Sequence, residues 1–229
     1  MQKFMFQAIA HIQSDFSSKF GIPRQSGILK ELKSQIVFEP EFRNRDALRG
    51  LENFSHLWLL WVFSENIRAN FRPTVRPPRL GGNTRMGVFA TRSSFRPNPL
   101  ALSVVKMEKW EMVGNAPVIT VSGADLMNGT PIVDIKPYLP YADAIPDATG
   151  GFTDDLNFKP LSLEFPQAEL EKVVLEKRES LLKILADDPR PAYQENPNRI
   201  YGFRFASYEI KFKVESGRLF VLSVEERND

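Results

Sequence analysis

Seven arginines and Lys106 fall between positions 66 and 107, and that stretch contains no aspartate or glutamate. The segment carries +8 in a chain whose formal net charge is +2, which leaves −6 for everything else. Positive charge gathered in one place suits an anionic partner, and several phosphate contacts together give strong, salt-dependent binding. Arginine rather than lysine favours planar contacts with several donors at once. Arg76, Arg79, Arg85 and Arg96 are therefore candidate contacts to RNA or phosphate. Phe71, Phe89 and Phe95 among them either stack on unpaired bases or fill a core. The competing reading is that these arginines pair with carboxylates elsewhere and brace the proline-rich loops.

A second set of chemistry-bearing residues surrounds the Asn128-Gly129 turn. Asp125 and Asp134 are the carboxylates nearest the apolar strand ends, and they suit either turn capping or a ligand contact. Asp134, Lys136 and Tyr138 alternate along one segment, so their side chains share a strand face and either line a pocket or face solvent. Residues 188–193 (DPRPAY) form a rigid loop carrying Arg190 and Tyr193. His56 lies inside an apolar run and reads as a hydrogen-bonded interior histidine. Two histidines and no cysteine leave little for a metal site and nothing for a disulfide or thiolate nucleophile. A glycine-rich dinucleotide fingerprint and a phosphate loop are both absent, since Gly81-Gly82 does not join a strand to a helix.

The elements that must position these residues read as mainly β. Phe4, Phe6, Ile9 and Ile12 approximate a first strand ending near Ser14, and 36–38 suggests a second. Residues 45–51 read as a short helical turn introduced by Asn44. The run FSHLWLLWVF reads as a strand buried on both faces, with a buried helix as the alternative. Prolines exclude a long helix from 68 to 99, where 87–91 reads as a short strand. Residues 101–112 and 118–126 form a strand pair about a Gly114-Asn115 turn, and 131–138 is extended. Seven or so short strands imply a closed or nearly closed barrel. Residues 146–151 (PDATGG) mark a boundary between a domain over 4–146 and a small α+β domain over 152–229. The latter holds a strand in LSLEF, a helix over 168–186, and a hairpin of 201–214 with 219–224. No run is long and apolar enough for a bilayer, so a cytoplasmic protein without a membrane partner is expected.

The phrases SKFGIPRQSG, RGLENFSHLWLLWVF, RPTVRPPRLGG, MGVFATRSSFRPNP, DLMNGTPIVDIKPYLPY and DPRPAY together closely resemble the TsaA-like family, also called TrmO. The resemblance is dense over 4–145 and thinner beyond. It implies a single-sheeted β-barrel N-terminal domain, a homodimer, and S-adenosylmethionine as cofactor. The implied activity is tRNA methylation at the exocyclic amine of threonylcarbamoyladenosine, with the anticodon stem-loop held on the arginine face. Cofactor contacts carried over by motif are Pro23, Arg24, Gln25, Ser64, Glu65, Arg92, Leu102, Asp125, Leu126, Met127, Asn128 and Gly129. Asn128 stands where the family usually has aspartate. Candidate proton-handling residues are Asp134, Lys136 and Tyr138, with Arg190 and Tyr193 assisting at the RNA side. No metal is implied. The alternatives are a non-catalytic RNA-binding barrel and a methyltransferase acting on another nucleotide or small molecule.

Overall fold

Alternating side chains set the first sheet. In the computed structural model, which describes residues 2–67, 70–77, 80, 82–154, 159–190 and 196–227, the strands of the N-terminal half are β1 (Ala10–Gln13), β2 (Lys33–Phe38), β3 (His56–Val62), β4 (Thr74–Val75), β5 (Met86–Gly87), β6 (Leu100–Val113), β7 (Ala116–Ser122) and β8 (Pro131–Pro137). Six of them pair in the ring order β1-β2-β7-β6-β3-β8 and close as a barrel, every pairing antiparallel. Its interior is filled by Ile12, Ile36, Leu57, Leu59, Ile119, Leu126 and Ile132. The two-stranded ribbon of β4 and β5 stands apart from this ring.

The FSHLWLLWVF run is a strand with one buried face, not two. Leu57, Leu59 and Trp61 point into the barrel, while His56, Trp58, Leu60 and Val62 are half-exposed on its outside. His56 is accordingly not interior; its Nδ1 lies 2.9 Å from Ser55 Oγ. The first strand is shorter than the alternation suggests. Phe4 and Phe6 are exposed, because the neighbouring strands pair with β1 only from Ala10 onward. Residues 87–91 extend only to Gly87 and then coil into a 3₁₀ turn, Val88–Ala90. The helical turn after Asn44 is present, and the Asn44 side chain accepts the Asp46 N–H at 2.9 Å.

Beyond a short helix, α1 (Pro140–Asp143), the C-terminal half contains β9 (Ser162–Glu164), α2 (Gln167–Leu170), α3 (Leu175–Ala186), β10 (Tyr201–Phe205), β11 (Tyr208–Glu215) and β12 (Arg218–Glu226). The strands form a sheet in the order β10-β11-β12-β9, with β9 parallel to β12. The single helix expected over 168–186 is two. Val173 is fully buried and the Val174 N–H donates to Tyr208 Oη at 3.1 Å, so the chain leaves helical geometry there. Arg178 caps the freed carbonyls of Val173 and Glu171 at 2.7 and 3.1 Å. A turn at Ala206, whose φ is +51°, likewise divides 201–214 into two strands. Among the described residues, no helix is long and apolar enough to cross a membrane.

The loop between β1 and β2 joins the second core. Phe16, Leu29 and Leu32 are buried with Leu181, Ile184, Phe203, Phe205 and Phe212. Lys177, the cation that interrupts the apolar stripe of α3, pairs with Asp15. Gly21 has φ +88°, and a Cβ there would lie 2.5 Å from the Phe203 ring, so only glycine fits. This anchoring fixes the start of the segment Ile22-Pro23-Arg24-Gln25.

Candidate active site

That segment forms one wall of a cavity of about 640 Å³. The other walls are the end of β3 with the turn Ser64–Asn66, the loop through Thr91, Arg92 and Arg96, the start of β6, and Asp125, Met127 and Thr130. Leu60, Val62, Phe63, Leu100 and Leu102 give it an apolar side, and Lys19, Arg24, Arg92 and Arg96 give it cations. A mostly apolar cleft of this size with a few converging polar groups is the usual form of a small-molecule site.

Its polar floor is a hydrogen-bonded relay. Trp61 Nε1–H donates to Ser103 Oγ at 2.9 Å, and Ser103 O–H donates to Asp125 Oδ1 at 2.6 Å. Trp61 and Ser103 are buried. Burial pushes the Asp125 carboxyl above the usual carboxylate range; the Ser103 hydrogen bond, backbone N–H groups at Asp125 and Ser26, and the Arg92 charge pull the other way. Burial is the largest of these influences, and the net shift is upward.

On the cavity wall, Gln25 ties the Arg92 guanidinium to the main chain at Arg24. Its Nε2 donates to the Arg24 carbonyl at 2.6 Å, and its Oε1 accepts from Arg92 Nη1 at 2.5 Å. Arg24 reaches the other way, donating to the Asp188 carbonyl at 3.0 Å. Arg96 Nη1 donates to the Thr91 carbonyl at 2.8 Å, and Lys19 Nζ donates to Asn66 Oδ1 at 2.7 Å. The bonds of Arg92, Arg96 and Lys19 go to neutral oxygens, which orient these three cations without cancelling their charge.

Nine of the twelve residues expected from the motifs line this one cavity: Pro23, Arg24, Gln25, Ser64, Glu65, Arg92, Leu102, Asp125 and Met127. Leu126 is instead fully buried in the barrel core. Asn128 and Gly129 lie outside the lining, where their N–H groups donate to the Phe16 and Ile12 carbonyls, both at 2.8 Å. The Asn128 side chain accepts the Ser14 N–H at 3.1 Å. These bonds stitch the turn to the end of β1. Ser103 and Lys19 were not singled out in the sequence; the only signal for Ser103 is a lone hydroxyl in the apolar run LALSVV.

Asp134, Lys136 and Tyr138 do not line the cavity. Asp134 and Lys136 form an ion pair at 2.8 Å, and Tyr138 packs on Trp58 with ring centroids 5.8 Å apart. Their nearest connection to it is Leu60, which stands opposite Leu102 on one side and Asp134 on the other. Residues directly opposite in a sheet share a face, so Leu102, Leu60 and Asp134 form one row across the outside of the barrel. Arg76 and Arg85 are exposed beyond the ends of β4 and β5, and Arg96 sits on the cavity wall. Arg190 is spent internally. Its Nε and Nη2 grip both oxygens of Asp188, each at 2.8 Å, and only 13% of its side chain is exposed. Arg79 and Tyr193 lie outside the described residues.

Residues 11–144 match the model of the tRNA-methyltransferase O N-terminal domain, and residues 159–227 match the TrmO C-terminal domain. The chain belongs to the TrmO family. It is 41% identical, over 99% of its length and all of the relative's, to the tRNA (adenine(37)-N6)-methyltransferase of Escherichia coli K12. A Pseudomonas aeruginosa protein described as a putative S-adenosylmethionine-dependent methyltransferase, RcsF, is 40% identical over 88% of this chain and 89% of its own. The crystal structure of TrmO from Pseudomonas aeruginosa superposes with a TM-score of 0.78 at 32% identity, covering 98% of this chain and all of that one.

Proposed function

We propose that this TrmO-family chain is an S-adenosylmethionine-dependent tRNA methyltransferase acting on the exocyclic amine of adenosine 37, in its threonylcarbamoyl form, beside the anticodon. The observation that carries this reading is the convergence of nine motif residues on one cavity, in a chain alignable end to end with the Escherichia coli enzyme. The cavity's make-up fits the cofactor: an apolar side for the nucleoside, an acid at the floor for a cationic ligand, and cations on the wall for its carboxylate. Asn128 is no obstacle, since its amide oxygen already accepts a backbone N–H as a carboxylate would.

S-adenosylmethionine, when bound, supplies an electrophilic methyl group on a sulfonium centre. The chain's own residues align and enclose. Leu60, Val62 and Leu102 exclude water from one side, and Gln25 holds Arg92 on the wall. Positioning of this kind supplies much of the rate in a displacement that needs no covalent intermediate. The attacking amine must also lose a proton. We assign that proton to the Asp134 carboxylate, the polar end of the row Leu102-Leu60-Asp134: a substrate lying from the cavity over this face meets Asp134, with Lys136 and Tyr138 beside it. The wider proposal includes a barrel unit over 4–146 that holds the cofactor, a C-terminal unit over 152–229, a homodimer, action in the cytoplasm on the anticodon stem-loop, and no metal.

Calorimetry tests the site directly. Arg92→Ala removes a charged donor and should weaken S-adenosylmethionine binding about 10- to 100-fold, the equivalent of one charge-assisted hydrogen bond. Asp134→Asn should leave that affinity intact and lower kcat. Unchanged cofactor affinity in the first variant, or unchanged turnover in the second, removes that residue from the site.

A further inference from the structure

The ribbon of β4 and β5 carries a feature that the barrel does not use. Phe71 and Phe89 stack on each other at its open end, ring centroids 6.3 Å apart and planes 22° apart, with 56% and 74% of their surfaces exposed. The arrangement is built in. Thr74 pairs with Gly87, the Val88 N–H donates to the Pro73 carbonyl at 2.9 Å, and Val88 itself is buried, which turns Phe89 outward. Single exposed apolar residues are ordinary. Two rings held parallel in water are not, because burying them elsewhere would be favourable.

Charge identifies the occupant. Arg72 adjoins Phe71, and Arg76 and Arg85 flank the far end of the ribbon, all exposed. Among the described residues none of Arg72, Arg76, Arg85, Arg92 or Arg96 forms an ion pair. The pairing with carboxylates first weighed for these arginines is therefore not seen for these five, although Arg96 does hold its own loop through the Thr91 carbonyl. A second copy docking through this patch by two-fold symmetry would set the same cationic segment against itself. An unpaired nucleic-acid strand offers both phosphates and π faces. Phe89 is three residues from Arg92 on the cavity wall, at most ~11 Å of extended chain.

We infer that Phe71 and Phe89 form a stacking platform for an unpaired base of the tRNA loop, next to the adenosine presented to the cavity. This rests on the tRNA methyltransferase reading and adds a base-binding subsite to it. Phe71 orders Phe89, and the surrounding arginines hold the flanking phosphates.

The test uses the full-length protein, tRNA and a matched anticodon stem-loop RNA, with Phe89→Ala, Phe89→Leu, Phe89→Trp and Phe71→Ala/Phe89→Ala. Loss of the platform should weaken RNA binding and raise KM for tRNA roughly 5- to 100-fold, the range for removal of one stacked base. S-adenosylmethionine affinity by calorimetry should stay unchanged. Leucine should behave like alanine and tryptophan should restore binding, which separates stacking from apolar bulk. An abasic substitution at the stacked position should erase the difference between wild type and Phe89→Ala. The inference is overturned if wild type binds tRNA normally and the alanine variants match it, if leucine rescues as well as tryptophan, or if no abasic position erases the difference. It is also overturned if the variants change the sedimentation of the protein alone, which would make the patch a contact between copies. A wild-type protein that neither binds nor methylates tRNA would overturn the functional reading itself.

Discussion

Ser103→Ala is the sharpest probe of the cavity floor, because one hydroxyl serves two groups there. It donates to Asp125 at 2.6 Å and accepts from Trp61 Nε1 at 2.9 Å. A hydrogen bond to a charged acceptor is worth roughly 1.5–3 kcal/mol, and one pKa unit corresponds to about 1.4 kcal/mol. Removing the hydroxyl takes away a bond that favours the ionised form, so it should raise the Asp125 carboxyl further above the level to which burial already lifts it. The buried indole N–H also loses its acceptor, at about 1–3 kcal/mol. The sign of the pH effect follows from linkage. A carboxyl whose folded pKa is raised favours folding while protonated, and that contribution is lost as pH rises through its folded value. The indole part of the penalty does not depend on pH, but the Asp125 part grows as pH rises through the carboxyl's folded range. Urea melts of both proteins over a pH series measure this difference, and calorimetry measures the matching shift in S-adenosylmethionine affinity. Binding of a cationic ligand should fall off at higher pH in the variant than in the wild type. A stability difference that is flat with pH, with no displacement of the binding curve, would refute the relay.

Asp125→Asn should do the reverse for stability: it removes a buried ionisation, so above the carboxyl's folded range the variant should melt no lower than wild type while binding S-adenosylmethionine more weakly; a large loss of stability at neutral pH would show that the ionised acid is structural. Gly21→Ala should destabilise by about 2–4 kcal/mol, combining a left-handed φ with overlap on Phe203, and should weaken cofactor binding because Pro23, Arg24 and Gln25 follow directly; a denaturation midpoint equal to wild type would contradict both effects. For tRNA, log affinity should fall linearly with log salt, and Arg85→Ala should reduce the slope by about 0.7–0.9, the effect of one lost phosphate contact; an unchanged slope removes Arg85 from the interface.

What the sequence discloses is what local chemistry governs. The Gly114-Asn115 turn joining β6 and β7 and the Asn44 cap were legible because the residues that make them are adjacent. The motif residues of the cavity were legible through family resemblance, and most do meet. What was hidden depends on partners far along the chain. Phe4 and Phe6 alternate correctly yet find no strand to pair with. The helix expected over 168–186 breaks because Tyr208 and Arg178 take its backbone groups. Phe16, Leu29 and Leu32 pack with the C-terminal sheet across a long stretch of chain, a contact that no local signal announces. Ser103 carries no local mark of a role, and Arg190 reads as a candidate RNA contact. The first gains its role from Asp125, and the second loses its role to Asp188.

The central claim is that this cavity hands a methyl group to one nucleotide of tRNA. Purified protein, labelled S-adenosylmethionine and tRNA bearing the threonylcarbamoyl group, followed by digestion and mass spectrometry of the nucleosides, tests it in one measurement. One methyl group should appear on the exocyclic amine of adenosine 37, with none on unmodified transcript and little in Arg92→Ala. A label on another nucleotide, equal labelling of both RNAs, or no transfer at all would contradict the account.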